Sequence, residues 1–215
     1  MKIKECPFCK EAQEGLPIAF EQQLGSSTRT LRTTKEFFSF PSISPLGNGH
    51  VLICPKDHIL STATAYKLTP QKWIDYSTSC ISDVESRFGV ALIFEHGIGV
   101  GKEGGCGVSH AHLHVLAKEH IEQADVALGV EKTLGITSVF HQTLERALAS
   151  LKADDSYLLL GTLREGFNLW VSDNIPSQTA RKTIALLAGR EYWDWKLQSD
   201  WPLARRNYES LKIAA

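Results

Sequence analysis

Between residues 110 and 116, His110, His112 and His114 alternate with Ala111, Leu113 and Val115. A period of two is the strand signature: it puts three imidazoles on one face and their apolar neighbours on the other. Residues 51–54 (Val-Leu-Ile-Cys) read as a buried strand, residues 28–40, rich in Thr and Phe, as another, and residues 90–94 as a third. Residues 157–162 and 166–171 form a hairpin pattern around Arg164-Glu165-Gly166. The period lengthens to three and four over residues 68–88, where Trp73, Ile74, Ser77, Cys80, Ile81, Val84 and Phe88 mark one face of a helix. Thr69 is placed to cap it, Pro70 suits its first position and Gly89 its stop. A second helical pattern runs through residues 118–155, with Val139, Leu144, Leu148 and Leu151 on one face. Further helices are expected over 177–188, begun after Pro176 and stopped at Gly189, and over 203–213. Residues 10–27, with Gly15 and Pro17, read as loop or irregular strand, and residues 41–49 as a Pro/Gly turn cluster. The mixture predicts an α+β fold.

The histidine row constrains its own chemistry. Alternate residues on a strand face sit about 6.6 Å apart and the outer pair about 13 Å apart. Two such histidines can share a metal, but three would need a bent strand. The spacing favours divided labour, with one end on a metal and the rest on a substrate. Six glycines lead into the row (Gly97, Gly99, Gly101, Gly104, Gly105, Gly107), and backbone free of side chains can present N–H groups to an anion. Cys6 and Cys9 have the two-residue gap of a zinc knuckle, although such a pair alone also fits free or redox thiols.

Three motifs in order carry a family resemblance over roughly residues 4 to 118. His110-Ala111-His112-Leu113-His114-Val115-Leu116 resembles the histidine-triad (HIT) pattern. Gly49-His50-Val51-Leu52-Ile53-Cys54-Pro55-Lys56-Asp57-His58 is similar to the family's Gly-His strand, and Cys6-Pro7-Phe8-Cys9 to the start of its zinc-carrying branch. The resemblance implies a HIT-like fold, an antiparallel sheet with packed helices, in residues 1–120. Residues 121–215 would form a C-terminal hairpin-and-helix extension packed on that core. It implies a structural zinc held by Cys6, Cys9, His58 and His110, with all four positions filled by protein. It makes His112 the nucleophile on a nucleotide phosphate, forming a covalent nucleotidyl-histidine. His114 would hold a phosphate oxygen or assist the leaving group, and His50 would contact the phosphate. A homodimer is the family's common state.

Two positions depart from the family pattern. Ser42 stands where Asp or Asn often holds the ribose, and a hydroxyl makes one hydrogen bond where a carboxylate makes two. Cys106 and Gly107 follow Gly105 where Gln-Ser is common; Ser109 offers a hydroxyl nearby, but alternation points it away from the triad face. Ser42, Gly105, Cys106, Gly107 and Ser109 are the expected substrate-side residues. His96 reads as a strand-end residue near the site, and Arg181, Lys182 and Arg190 as a solvated helix face.

Composition narrows the partners. The 215 residues are 43% hydrophobic, enough for one good core. Lys+Arg 23 against Asp+Glu 24 leaves a charge of −1 with no basic run, which argues against a nucleic-acid backbone; a small nucleotide or phosphate substrate, which the resemblance implies, fits this balance as well as many other ligands do. There is no apolar run of membrane-spanning length, and residues 1–6 lack the apolar core of a signal peptide, so a cytoplasmic protein is expected. Five cysteines, an odd number, argue against a disulfide scaffold. Two functions from different classes fit these features: a HIT-type nucleotide hydrolase or nucleotidyltransferase, and a non-catalytic, zinc-stabilised nucleotide-binding or interaction module.

Overall fold

The structure is a computed structural model that describes residues 6–102 and 107–212. Its strands are β1 (Arg32–Thr33), β2 (Phe37–Pro41), β3 (Val51–Pro55), β4 (Ala91–Gly97), β5 (Leu113–Ala117), β6 (Val139–His141), β7 (Tyr157–Thr162) and β8 (Gly166–Val171). They form one sheet in the order β1-β2-β3-β5-β4-β7-β8-β6, antiparallel at every pairing. The fold is α+β, with helices on both faces. Among the described residues no helix is long and apolar enough to cross a membrane.

Side-chain alternation divides the core between the two faces. Ile53, Ile93, Leu113, Val115 and Leu159 point to one side, where they meet Trp73, Ile81 and Val84 of α4 (Pro70–Phe88) and Leu148 of α6 (Leu144–Ser150). The other face splits into two apolar clusters. Phe38, Phe40 and Leu52 pack with Phe8 of α1 (Pro7–Glu14). Leu92, Phe94, Leu158 and Leu160 pack with Val126 and Val130 of α5 (Gln123–Leu134) and Ile184 of α7 (Thr179–Leu187). His114 lies at the seam: one register row runs Phe40, Leu52, His114, Phe94, Leu160 across five strands. β7 occupies the outer edge of β4, so a second copy of the chain cannot pair there.

Several local expectations need correction. Residues 10–27 hold helices α1 and α2 (Ile18–Leu24), because Pro7, Gly15, Pro17 and Gly25 sit at helix ends rather than inside them. Residues 28–40 are two strands, since the Thr34 hydroxyl accepts from the N–H groups of Glu36 and Phe37 and turns the chain. Helix α3 (Thr62–Leu68) precedes α4; Thr69 makes no side-chain cap for α4, its hydroxyl donating back to the Ala65 carbonyl instead. Residues 118–155 are two helices with β6 between them, and Val139 is an exposed edge-strand residue. The last helix, α8, spans Trp201–Leu211 and is capped by the Asp200 carboxylate.

On the face away from the histidines, Glu95 of β4 is buried and accepts from the Thr62 hydroxyl, the Thr62 N–H and the Tyr157 hydroxyl. Gly97 makes room for this arrangement, because a Cβ there would lie 2.3 Å from the Tyr157 ring. Burial, only partly offset by these donors, raises the Glu95 pKa to about 7. The folded protein therefore holds a proton that the unfolded chain has already lost at lower pH. Stability from this group is full below the ordinary glutamate pKa and is lost as pH rises to about 7. The buried histidines titrate with the opposite sign, so the contribution is read as a difference: the melting temperature of the wild type relative to that of Glu95→Gln, measured from pH 4 to pH 8, should fall along that window.

Candidate functional site

The triad begins in a bend, not a strand. The His110 N–H bonds to the Val108 carbonyl at 2.9 Å, and β5 starts only at Leu113. The bend sends the His110 side chain away from the other two histidines. Its Nδ1 lies 3.4 Å from Cys6 Sγ and 3.5 Å from Cys9 Sγ, while His58 Nδ1 lies 3.3 Å from Cys9 Sγ. The four ligand atoms all fall within 4.8 Å of one another and could hold one metal ion. Cys6 and Cys9 face the same way because they are three residues apart at the first turn of α1, where Cys6 is the N-cap. His110 Nε2–H donates to the Pro55 carbonyl at 2.8 Å, which leaves Nδ1 with a lone pair for a metal. Without a metal, burial and the neighbouring Cys6 push the Cys9 thiol up to about 12.

His112 is oriented by the backbone of the same bend. Its Nδ1 lies 2.6 Å from the His110 carbonyl and must donate to it, so a neutral ring carries its free lone pair on Nε2. Burial pushes the ring down to about 4, against the raising effect of that hydrogen bond, so His112 is neutral at pH 7. Phe8 packs edge-on to both rings, with centroids 5.5 Å from His112 and 5.7 Å from His110.

A hydrogen-bond chain fixes His114. The Leu46 N–H donates to His50 Nδ1 at 2.8 Å, so the proton of neutral His50 is on Nε2. That Nε2 lies 3.0 Å from His114 Nδ1 and donates to it. The proton of neutral His114 is therefore on Nε2, which is buried and has no partner among the described residues. The ring itself is clamped by a parallel stack on Phe94, 4.2 Å between centroids. Burial holds His50 and His114 well below the usual histidine range.

A cavity of about 130 Å³ opens beside His112 and His114. Phe8, Phe20, Leu52, Val108 and Trp195 supply apolar walls, and Ser42, Arg29 and Arg181 also line it. The Ser42 hydroxyl accepts from the Ser44 N–H at 3.3 Å and keeps its own proton to donate. Ser109 is half-buried and does not line the cavity; Val108 does. Gly107 has φ +92° and lies under Lys196 and Trp195. Gly105 and Cys106 lie outside the described residues. His96 is buried on the triad face, one alternation beyond Phe94, with Nδ1 unpartnered among the described residues.

Residues 25–121 match the family model of the HIT domain. The protein carries a HIT domain. Similar solved structures include a HIT-like protein from Bartonella henselae (20% identity over 55% of this chain and 80% of that one, TM-score 0.42). A HIT family hydrolase from Clostridium thermocellum is 24% identical over 56% of this chain and 96% of that one, TM-score 0.41. A hypothetical histidine triad nucleotide-binding protein from Sulfolobus tokodaii is 14% identical over 96% of this chain and 93% of that one, TM-score 0.40.

Arg181 and Trp195 lie beyond the matched HIT domain, and Phe8 and Phe20 precede it. The site is thus walled from both sides of the domain. Arg181 is 1% exposed, contrary to the solvated face expected for it. The signal was present: Ala180, Arg181, Ile184 and Ala185 form one helix face, and the apolar members mark it as buried. The hydrogen-bond chain yields a direct test. In ¹⁵N-resolved NMR of the imidazoles, His112 should be protonated on Nδ1 and His114 on Nε2, and His50→Ala should abolish the single-tautomer signature of His114 while leaving that of His112.

Proposed function

We propose that this protein is a nucleotide hydrolase or nucleotidyltransferase that cleaves a phosphoanhydride, phosphoramidate or phosphoester through a covalent nucleotidyl-histidine on His112. The observation that carries this reading is the 2.6 Å hydrogen bond from His112 Nδ1 to the His110 carbonyl. It directs the Nε2 lone pair outward on a ring that burial keeps neutral. Nε2 attacks phosphorus, the bond to the leaving group breaks, and the leaving group departs with the bonding pair. The imidazole is then cationic, and the His110 carbonyl stabilises it through the same Nδ1–H. The His114 Nε2–H, oriented by His50, donates to a phosphoryl oxygen as negative charge builds there. Attack of water or another acceptor on phosphorus releases His112 and completes hydrolysis or transfer.

The apolar cavity wall fits a nucleobase, with Ser42 as hydrogen-bond partner for the sugar. Cys6, Cys9, His58 and His110 fit zinc, two thiolates and two imidazoles being a common tetrahedral set. With four protein ligands such an ion would be structural, and Cys6 and Cys9 on it would pin α1, and with it Phe8, against the triad.

Incubation with nucleoside phosphoramidates, dinucleoside polyphosphates and nucleotide sugars should release nucleoside monophosphate by chromatography. His112→Ala should lower the rate by at least about a thousandfold while metal content and circular dichroism stay unchanged. An equally active variant would sink the nucleophile and favour a binding module. Cys9→Ser should reduce bound zinc, measured by elemental analysis, from about one per chain to a small fraction, and lower the melting temperature.

A further inference from the structure

Gln178 precedes α7 with φ +62°, in the left-handed region that glycine favours and other residues occupy at a cost. Its side chain is buried, and both ends of its amide hold one short turn. Nε2 donates to the Asp194 carboxylate at 2.8 Å, and Oε1 accepts from the Trp195 N–H at 3.4 Å. The Leu197 and Gln198 N–H groups close that turn on the Asp194 carbonyl, and the Asp194 carboxylate also accepts from the Lys196 N–H at 3.0 Å. The roots of Trp195 and Lys196 are fixed in this way, and both side chains lie over Gly107. A Cβ at Gly107 would stand 2.5 Å from Lys196 Cε, 3.0 Å from its Nζ and 3.2 Å from Trp195 Cζ2. The space that a side chain at 107 would fill is therefore filled by an ammonium from the C-terminal extension. Val108, next to Gly107, and Trp195, next to Lys196, both line the cavity with His112 and His114, so Lys196 stands at its rim. Lys196 is exposed, and among the described residues its Nζ forms no ion pair; Asp194 is its acidic neighbour and feels its charge through space.

We propose that Lys196 binds an anionic leaving group and so makes the site selective for phosphoanhydrides over phosphoramidates. The assignment rests on the nucleotide reading above. In that reading the nucleoside takes the apolar cavity and the phosphoryl group meets His112 and His114. The leaving group then lies toward the rim, where Gly107 runs into the bend that carries the nucleophile. The leaving group of a phosphoanhydride is a phosphate that carries negative charge, whereas that of a phosphoramidate is an amine. A glycine without a side chain, with an ammonium above it, gives such a phosphate room and a counter-charge. A compact charge on a flexible stem can also follow the group as its bond to phosphorus breaks. Packing over Gly107 would need only the hydrocarbon stem, and methionine in place of Lys196 separates the two roles.

The test is a ratio of two rates. For each of the four common bases, kcat/KM would be measured on a dinucleoside tetraphosphate, whose leaving group is a charged nucleotide, and on the nucleoside 5′-phosphoramidate, whose leaving group is ammonia. In Lys196→Met the ratio of tetraphosphate to phosphoramidate should fall about tenfold, because the stem stays and the charge is lost. Lys196→Arg should keep most of the ratio. In the wild type the ratio should shrink as salt rises, since an exposed charge contact is screened, and in Lys196→Met it should respond less. An unchanged ratio in Lys196→Met overturns the assignment and leaves the His112 reading intact. A ratio that falls as far in Lys196→Arg as in Lys196→Met also overturns it, because shape rather than charge is then at work. Turnover of the phosphoramidate alone overturns it too. If only the tetraphosphate turns over, the same comparison of variants on its kcat/KM decides. No turnover of either substrate with any base overturns the nucleotide reading, and the assignment with it.

Discussion

His110 belongs to two networks at once, and the site depends on that double membership. Its side chain turns toward Cys6, Cys9 and His58, and its carbonyl holds the Nδ1–H of His112. Both follow from the bend closed by the His110 N–H on the Val108 carbonyl. A straight strand would leave His110 facing the same way as His112, with its carbonyl engaged in the sheet ladder. The bend ends the ladder at Leu113 and frees that carbonyl for an imidazole. Whatever fixes the His110 ring therefore also fixes His112. The Pro55 carbonyl does so from β3, and Phe8 does so from α1 by packing on both rings.

The second half of the site is held from the far end of the chain. His50 follows a turn whose carbonyls are bonded one after another by residues beyond the HIT domain. The Asp200 N–H donates to Ile43, Arg181 to Ser44, Arg190 to Pro45 and the Asn207 amide to Gly47. Asn207 also accepts from the Gly49 N–H. Gly49 has φ +65°, and a Cβ there would lie 2.8 Å from Phe88, so only glycine lets the turn pack so tightly. The turn in turn presents the Leu46 N–H to His50 and sets the direction of the whole His50–His114 chain. Residues 121–212 thus help to shape the triad pocket, besides adding β7 to the open edge of β4.

What could be read from the sequence was what local spacing controls. The α+β class and the antiparallel hairpin of Tyr157–Thr162 with Gly166–Val171 are periodic features, and they appear as such. Spacing argues for separate roles along the histidine row, but the turning of the His110 side chain away from His112 comes from the bend at Val108, which alternation does not reveal. Residues that reach the site from other elements were harder. Phe8 stands in the sequence only as part of a cysteine motif, since residues 10–27 read as loop or irregular strand and give no reason to fold α1 against the triad. Trp195 carries no periodic signal; its position depends on the turn after α7, where the Gln178 amide bonds Asp194. Arg181 is the opposite case: Ala180, Ile184 and Ala185 share its helix face and mark it as buried, whereas its charge reads as solvated.

The cavity makes two incompatible demands, and the sheet meets both. Under the proposed function, neutral imidazoles need burial, which strips away water and lowers their pKa, whereas an anionic substrate needs positive charge. Protonating His112 to gain that charge would remove the nucleophile. The Arg181 guanidinium in the cavity wall stays protonated at any physiological pH. Its field further disfavours protonation of His50, His112 and His114. Charge and nucleophile are then carried by different elements, α7 and the bend before β5. The histidines need only donate and attack, each in the tautomer that a hydrogen bond outside the cavity has already chosen.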